Sequence, residues 1–169
     1  KPSIRLSALM EQRVIYVMTH DSIGLGEDGP THQPIEQLSG LRSIPNLNVF
    51  RPADRMETIE CWELVLKNSK TPSVLSLTRQ NLEPIRKKYS NINKCSFGAY
   101  EILRTSKKIN LTIFASGSEV NLAIETSHKL AKDKIYAKVI SVPCQDVFDQ
   151  QSKSYKKKIL GETKFKISI

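Results

Sequence analysis

The chain has 169 residues, of which 39% are hydrophobic, so it can build one large or two small cores. No apolar run approaches the roughly 20 residues of a membrane-spanning helix, and the charged N-terminus lacks the apolar stretch of a signal peptide. Cys61, Cys95 and Cys144 are odd in number and far apart, which predicts neither a disulfide framework nor a zinc site and favours a reducing cytoplasm.

The net charge of +9 comes entirely from the second half of the chain. Residues 1–82 contain nine Lys and Arg against nine Asp and Glu, whereas residues 83–169 contain seventeen against eight. The lysines are scattered, and no motif of a nucleic-acid-binding fold accompanies them. A solvated lysine face is therefore favoured over a basic nucleic-acid binder, and we expect neither nucleic acid nor membrane as a partner.

The first half predicts strands that alternate with helices. In chain order, the elements are a buried strand at 13–18, a helix near 34–42, a short strand at 47–51, a helix from Asp54 to about Asn68 and a strand at Ser73–Thr78. Pro34 suits the first turn of its helix, and Asp54 with Glu57 is typical of a capping box. The apolar face of the helix after Asp54 is predicted at Ile59, Trp62 and Leu66.

The second half repeats this alternation after a polar linker at 83–96. Its elements are a strand at Leu111–Ala115, a helix that begins at Gly117–Glu119 and reaches about Ala131, a strand at Ile135–Val142, a lysine-rich helix and a terminal strand. The first of these helices has an apolar face at Val120, Ala123, Ile124 and Leu130. Strands alternating with helices imply βαβ units and mostly parallel sheets, which is an α/β fold.

The most informative segment is THDSIGLGEDGPTHQPIEQ at 19–37. It follows the first strand, and a glycine-rich loop at a strand end lets the backbone approach a ligand closely. Imidazole and carboxylate groups together can transfer protons and bind phosphate near neutral pH. Each residue also has a purely structural interpretation: a loop tie for His20, an Asp-Gly turn for Asp28, a helix cap for His32 and a surface ion pair for Arg79.

This segment and several later ones resemble the transketolase family. The matching segments stand in the family's order at Thr19–Gly24, Gly26–Pro34, Leu41–Asn46, Arg51–Asp54, Arg79–Asn81, Ala115–Val120, Ser141–Cys144 and Phe148–Asp149. So many ordered motifs over nearly the whole chain are not a chance match. Thr19–Gly24 and Arg79–Asn81 distinguish the chain from deoxyxylulose-phosphate synthases, and Asp28 and Gln80 from dihydroxyacetone synthases.

The resemblance implies two successive three-layer α/β domains with mostly parallel sheets. Residues 1–82 would be part of the pyrimidine-binding (middle) domain, 83–96 a linker and 97–169 part of the C-terminal domain. The implied activity is transfer of a two-carbon ketol unit between sugar phosphates in the pentose phosphate pathway. It would use thiamine diphosphate and a divalent metal (magnesium or calcium) in a cytoplasmic homodimer, and neither group is given a ligand within these residues.

The resemblance also implies roles for four residues. The family's residues at the positions of His20 and Arg79 contact the sugar phosphate. Arg79 suits this role because its planar guanidinium can donate two parallel hydrogen bonds to one phosphate. The residue at Asp28 accepts a hydrogen bond from a sugar hydroxyl beside the reacting carbon. The residue at His32 is the catalytic candidate, since it lies near the reacting carbonyl and can donate to the oxygen where charge develops. Glu27 is interpreted as structural.

The family's chains are much longer, so we interpret the 169 residues as a fragment that supplies the sugar-phosphate side of the site and is inactive alone. Lys1–Arg5 is interpreted as lying within a helix, because Leu6, Leu9 and Met10 continue a helical apolar spacing. The alternative is a non-catalytic module that binds a phosphorylated ligand or a partner subunit.

Overall fold

A computed structural model describes residues 1–86 and 90–169, so the part of the predicted linker at 87–89 lies outside the described residues. The helices are α1 (Pro2–Leu9), α2 (Gln37–Arg42), α3 (Arg55–Lys67), α4 (Glu119–Lys132), α5 (Gln145–Asp149) and α6 (Lys153–Leu160). The strands are β1 (Ile15–Asp21), β2 (Asn48–Phe50), β3 (Ser73–Thr78), β4 (Tyr100–Arg104), β5 (Leu111–Ala115), β6 (Ala137–Ser141) and β7 (Phe165–Ser168). Short 3-10 helices lie at Gly26–Asp28, Pro30–His32 and Lys94–Phe97.

The strands form two separate sheets. The first has the order β1-β3-β2, and all its pairs are parallel. The second has the order β4-β6-β5-β7, and only the β4–β6 pair is antiparallel. The predicted α/β class with mostly parallel sheets is therefore confirmed.

The central strands are packed on both faces, and successive residues of these strands point to opposite sides. In β3, Val74 packs with residues of α1 and α2, whereas Leu75 packs with Cys61 and Val65 of α3. The second sheet follows the same rule: Ile113 and Val139 pack with α4, and Ile140 packs with Ile159 of α6. The cores therefore lie on both sides of β3 and of β5–β6.

The predicted buried character of the first strand is wrong. β1 pairs with β3 alone among the described strands and forms the edge of its sheet. Val17 and Met18 are 47% and 39% exposed. Ile15 and Tyr16 pack against the core, whereas the next two residues of the run are left exposed on opposite faces, and the strand extends to Asp21 instead of ending at 18.

The predicted apolar face of α3 is also wrong. Of its three residues only Trp62 packs against the core; Ile59 and Leu66 are exposed, whereas Glu57, Cys61 and Val65 are buried. The buried side of the helix includes Glu57, whose carboxylate is fully buried among hydrogen-bond donors, which a hydrophobic pattern cannot predict. The Asp54 cap is confirmed, since its Oδ1 accepts the Glu57 N–H over 2.8 Å. The other half of the capping box differs, because Glu57 accepts from the Ala53 N–H rather than from the cap residue.

Three further elements differ from the sequence prediction. Helix α2 begins at Gln37 instead of Pro34, because the first main-chain bond of helical type is Gly40 N–H to the Glu36 carbonyl. Strand β4 and helix α5 were not predicted. β4 is a half-exposed edge strand with an irregular register, and α5 has only five residues, so neither carries a clear hydrophobic period.

Candidate functional site

The predicted site residues gather at the carboxyl ends of β1 and β3. These strands are neighbours, and Asp21 is in register with Thr78, so His20 and Arg79 belong to adjacent strand ends. The loop that follows β1 brings Asp28 and His32 to the same edge on its two short 3-10 helices. Pairing of the strands thus joins segments that are about sixty residues apart in the chain.

Asp28 lies between Arg79 and His20 in this cluster. Its Oδ2 is 2.7 Å from Arg79 Nε, as an ion pair that lacks hydrogen-bond geometry, and 3.9 Å from His20 Nε2. The side chains of Arg79 and His20 are 44% and 39% exposed, so both can be reached by a ligand. Glu27 Oε1 is 3.6 Å from Arg79 Nη2 but 89% exposed, and an ion pair so exposed contributes little.

The two histidines face each other at this edge. Their ring centroids are 6.1 Å apart. In each, Nδ1 lies 3.0 Å from the hydroxyl of the preceding threonine, Thr19 or Thr31, which leaves Nε2 as the other ring nitrogen for a ligand. The helix-cap interpretation of His32 is wrong, since α2 begins at Gln37 and its cap residue makes no side-chain bond.

Gln80 holds the loop against the end of β3, a role that the motif containing it did not reveal. Ser22 Oγ donates to Gln80 Oε1 over 3.1 Å and accepts the Gly24 N–H over 3.1 Å. A Cβ at Gly24 would lie 2.6 Å from the end of the Gln80 side chain, so a larger residue there would displace the amide that Ser22 binds. The site loop is therefore fixed from the same strand end that carries Arg79.

The start of the helix at Gly117–Glu119 differs in its chemistry from this cluster. Its first turn carries Glu119, whose carboxylate binds Arg51, so this turn presents a negative group. His128 is exposed on the same helix.

In the part of the chain that is described, no group of three or more His, Cys, Asp or Glu residues is placed to hold a metal ion. No helix within residues 1–86 or 90–169 is long and apolar enough to cross a membrane.

A cluster of cationic, imidazole and carboxylate groups at the ends of parallel strands is typical of ligand-binding α/β proteins. Comparison with known proteins identifies the family within this class. Residues 1–84 match the family model for the transketolase pyrimidine-binding domain, and residues 98–169 match that for the transketolase-like C-terminal domain. The chain therefore belongs to the transketolase family, whose members are thiamine-dependent transferases.

Individual relatives agree with this assignment. A transketolase of Sinorhizobium medicae is 52% identical over 161 residues, which are 95% of this chain and 23% of the relative. A transketolase of Cereibacter sphaeroides is 51% identical over 161 residues, 95% of this chain and 24% of the relative. A crystal structure of a Pichia stipitis transketolase variant in complex with fructose 6-phosphate has a TM-score of 0.92 at 44% identity, covering 99% of this chain and 24% of that one. The chain thus spans about a quarter of the length of these relatives.

Proposed function

We propose that these residues form the sugar-phosphate side of a site for ketol transfer between sugar phosphates. The observation that carries the proposal is the position of the Asp28 carboxylate, within 2.7 Å of Arg79 and 3.9 Å of His20. A guanidinium and an imidazole from adjacent strand ends converge on one carboxylate. A phosphate with its several oxygens is suited to the same two partners.

The four residues have different roles in this proposal. His20 and Arg79 bind the phosphate of the substrate, and Asp28 accepts a hydrogen bond from a sugar hydroxyl and so selects its configuration. His32, beside His20, donates a proton or hydrogen bond to the carbonyl oxygen where negative charge develops. The sugar-phosphate ligand of the Pichia stipitis relative supports this class of substrate.

The proposed function includes thiamine diphosphate, which supplies the carbanion chemistry of ketol transfer, and a divalent metal. The described residues do not fit a metal site, since they contain no suitable ligand cluster. We therefore assign neither group a contact here and derive no step through it. Residues 1–82, 83–96 and 97–169 are proposed as middle domain, linker and C-terminal domain of a cytoplasmic homodimer, and the 169 residues alone are proposed to be inactive.

The proposal is tested with His20→Ala and Arg79→Ala in the holoenzyme. Each variant should raise KM for xylulose 5-phosphate and ribose 5-phosphate, because each loses a charged hydrogen bond worth about 1.5–3 kcal/mol, or about 10- to 150-fold. The effect on unphosphorylated hydroxypyruvate should be much smaller.

Two matched substitutions serve as controls. His128→Ala and Arg104→Ala remove the same residue types from exposed positions outside the cluster and should leave both kinds of substrate unaffected. Equal losses on phosphorylated and unphosphorylated substrates for His20→Ala and Arg79→Ala would show that these residues do not bind the phosphate.

A further inference from the structure

A buried arginine connects the two sheets next to the candidate site. Arg51 follows β2, and its side chain is only 8% exposed. Nε donates to Asp21 Oδ2 over 2.7 Å on the side of the first sheet. Nη1 donates to the Ser116 carbonyl over 2.8 Å and also binds Glu119 on the side of the second sheet. One guanidinium therefore links the end of β1 to the start of α4.

The backbone of both partners is built around this arginine. The Arg51 carbonyl accepts the Gly117 N–H over 3.1 Å, and its N–H donates to the Pro143 carbonyl over 2.8 Å. A Cβ at Gly117 would lie 2.9 Å from the guanidinium carbon, and Gly117 has a φ of +57°. Glycine is required there both for the conformation and for the passage of the arginine.

Asp21 is the point at which this link reaches the site. It directly follows His20, and its carboxylate is 1% exposed. His20 and Ser22 on either side have φ values of +67° and +74°, a region that residues with a side chain rarely adopt. Such a backbone persists only where the surrounding structure fixes it.

Gln80 holds this backbone through Ser22, and Arg51 holds it through Asp21. Asp21 Oδ2 bonds to Arg51, whereas Oδ1 has no hydrogen-bond partner among the described residues. Because only one oxygen of this buried carboxylate is bonded, the carboxylate depends strongly on its contact with Arg51. The orientation of His20 thus depends on Arg51, which in turn depends on Glu119 and Ser116.

We propose that Glu119, at the start of α4, is a positioning residue that orients His20 through Arg51 and Asp21. The unit built on the second sheet then has a role in substrate binding although none of its residues lies in the cluster. That His20 binds phosphate rests on the proposed function, whereas its orientation by Glu119 does not.

The test is Glu119→Gln, which keeps the shape of the side chain and removes its charge. KM for a phosphorylated sugar should rise by about 2- to 30-fold, the range for coupling through a contact network, with kcat and the kinetics of an unphosphorylated keto donor unchanged. Glu119→Asp, which keeps the charge, should restore part of the affinity. Glu125→Gln on the exposed side of the same helix is the control and should change nothing.

A double-mutant cycle tests the route. If Glu119 acts through His20, Glu119→Gln should have no further effect in the His20→Ala background. Additive effects, or equal losses on both kinds of donor, would overturn the proposal.

A direct readout separates this proposal from the proposed function. In the protein labelled with ¹⁵N-histidine, Glu119→Gln should shift the imidazole signals of His20 and leave those of His128, which lies on the same helix as the substitution. Unshifted His20 signals would overturn the positioning role even if His20 binds phosphate. Shifted signals, together with equal losses on phosphorylated and unphosphorylated substrates in His20→Ala, would instead overturn the proposed function alone.

Discussion

Tyr100 donates its phenolic hydroxyl to Glu57 Oε1 over 2.7 Å, and this bond joins the two sheets. Tyr100 begins β4, whereas Glu57 lies on α3 against the other sheet. Ser141, at the end of β6, donates to the same oxygen over 2.6 Å, and the Ala53 N–H donates to Oε2 over 2.7 Å. The Glu57 carboxylate is completely buried, and these hydrogen bonds offset part of the free-energy cost of its desolvation.

Tyr100→Phe should destabilise the protein. It removes one donor from a buried carboxylate while keeping the ring that faces Arg86 at 5.6 Å. We expect a loss of about 1.5–3 kcal/mol in the free energy of unfolding, measured by urea titration. Tyr136→Phe is the matched control, since the Tyr136 hydroxyl makes no side-chain hydrogen bond with the described part of the chain. Equal stability of the two variants would mean that the bond to Glu57 contributes nothing.

The stability contributed by Glu57 should depend on pH. Burial raises the pKa of Glu57 above its ordinary value of 4.5, although the hydrogen bonds from Ser141 and Tyr100 oppose the rise. The folded protein therefore holds this proton more tightly than the unfolded chain. The contribution of the group is full below pH 4.5 and is lost as pH rises from there through the raised pKa.

Glu57→Gln isolates this effect, because it keeps an acceptor for Tyr100 and Ser141 but does not titrate. The difference in free energy of unfolding between the variant and the parent protein should be constant below pH 4.5. As pH rises above that value, the parent should lose stability that the variant keeps, so the difference should shift in favour of the variant. Urea titrations over a pH series measure the difference, with Glu125→Gln as the exposed control. A difference that is flat, or that falls with pH, contradicts the raised pKa.

Asp54→Ala should destabilise more than the loss of an ordinary helix cap. Its Oδ1 caps α3 at Glu57, and its Oδ2 accepts the Ile85 N–H over 3.0 Å, so it also anchors the segment that follows β3. We expect a loss near the upper end of the range of about 0.5–2 kcal/mol known for caps, measured by thermal unfolding. Asp54→Asn should retain most of the stability. Ser152→Ala, which removes the exposed cap of α6, should cost less, and a larger cost there would contradict the anchoring role.

Amide exchange should be faster in β1 than in β5 of the isolated 169-residue chain. β5 is paired on both sides, by β6 and β7, whereas among the described strands β1 is paired by β3 alone. Amides without a ladder partner open without breaking a sheet bond. Hydrogen exchange followed by mass spectrometry or NMR measures both strands in one sample. Slower exchange in Ile15–Met18 than in Leu111–Ala115 would show that the first sheet is the more stable one.

Much of the fold follows from local sequence patterns. The limits of β3 agree with the prediction at Ser73–Thr78, and the Asp54 cap and the apolar face of α4 at Val120 and Ala123 are confirmed. Each depends on a β-branched or apolar run, a cap or a helical period, which are interactions between residues close together in the chain. The candidate site residues were predicted from motifs that resemble those of transketolases, and their residue types also suit phosphate binding and proton transfer.

Tertiary structure alone decided what these residues contact. It placed the Glu57 carboxylate in the core, where a hydrophobic pattern expects none, and it brought Cys61, Cys95 and Cys144 into one cluster with buried free thiols. It also placed Asp28 between Arg79 and His20. These relationships depend on contacts between distant segments, and a buried charge can be recognised only when its donors are known, because the hydrogen bonds that offset its desolvation come from other elements.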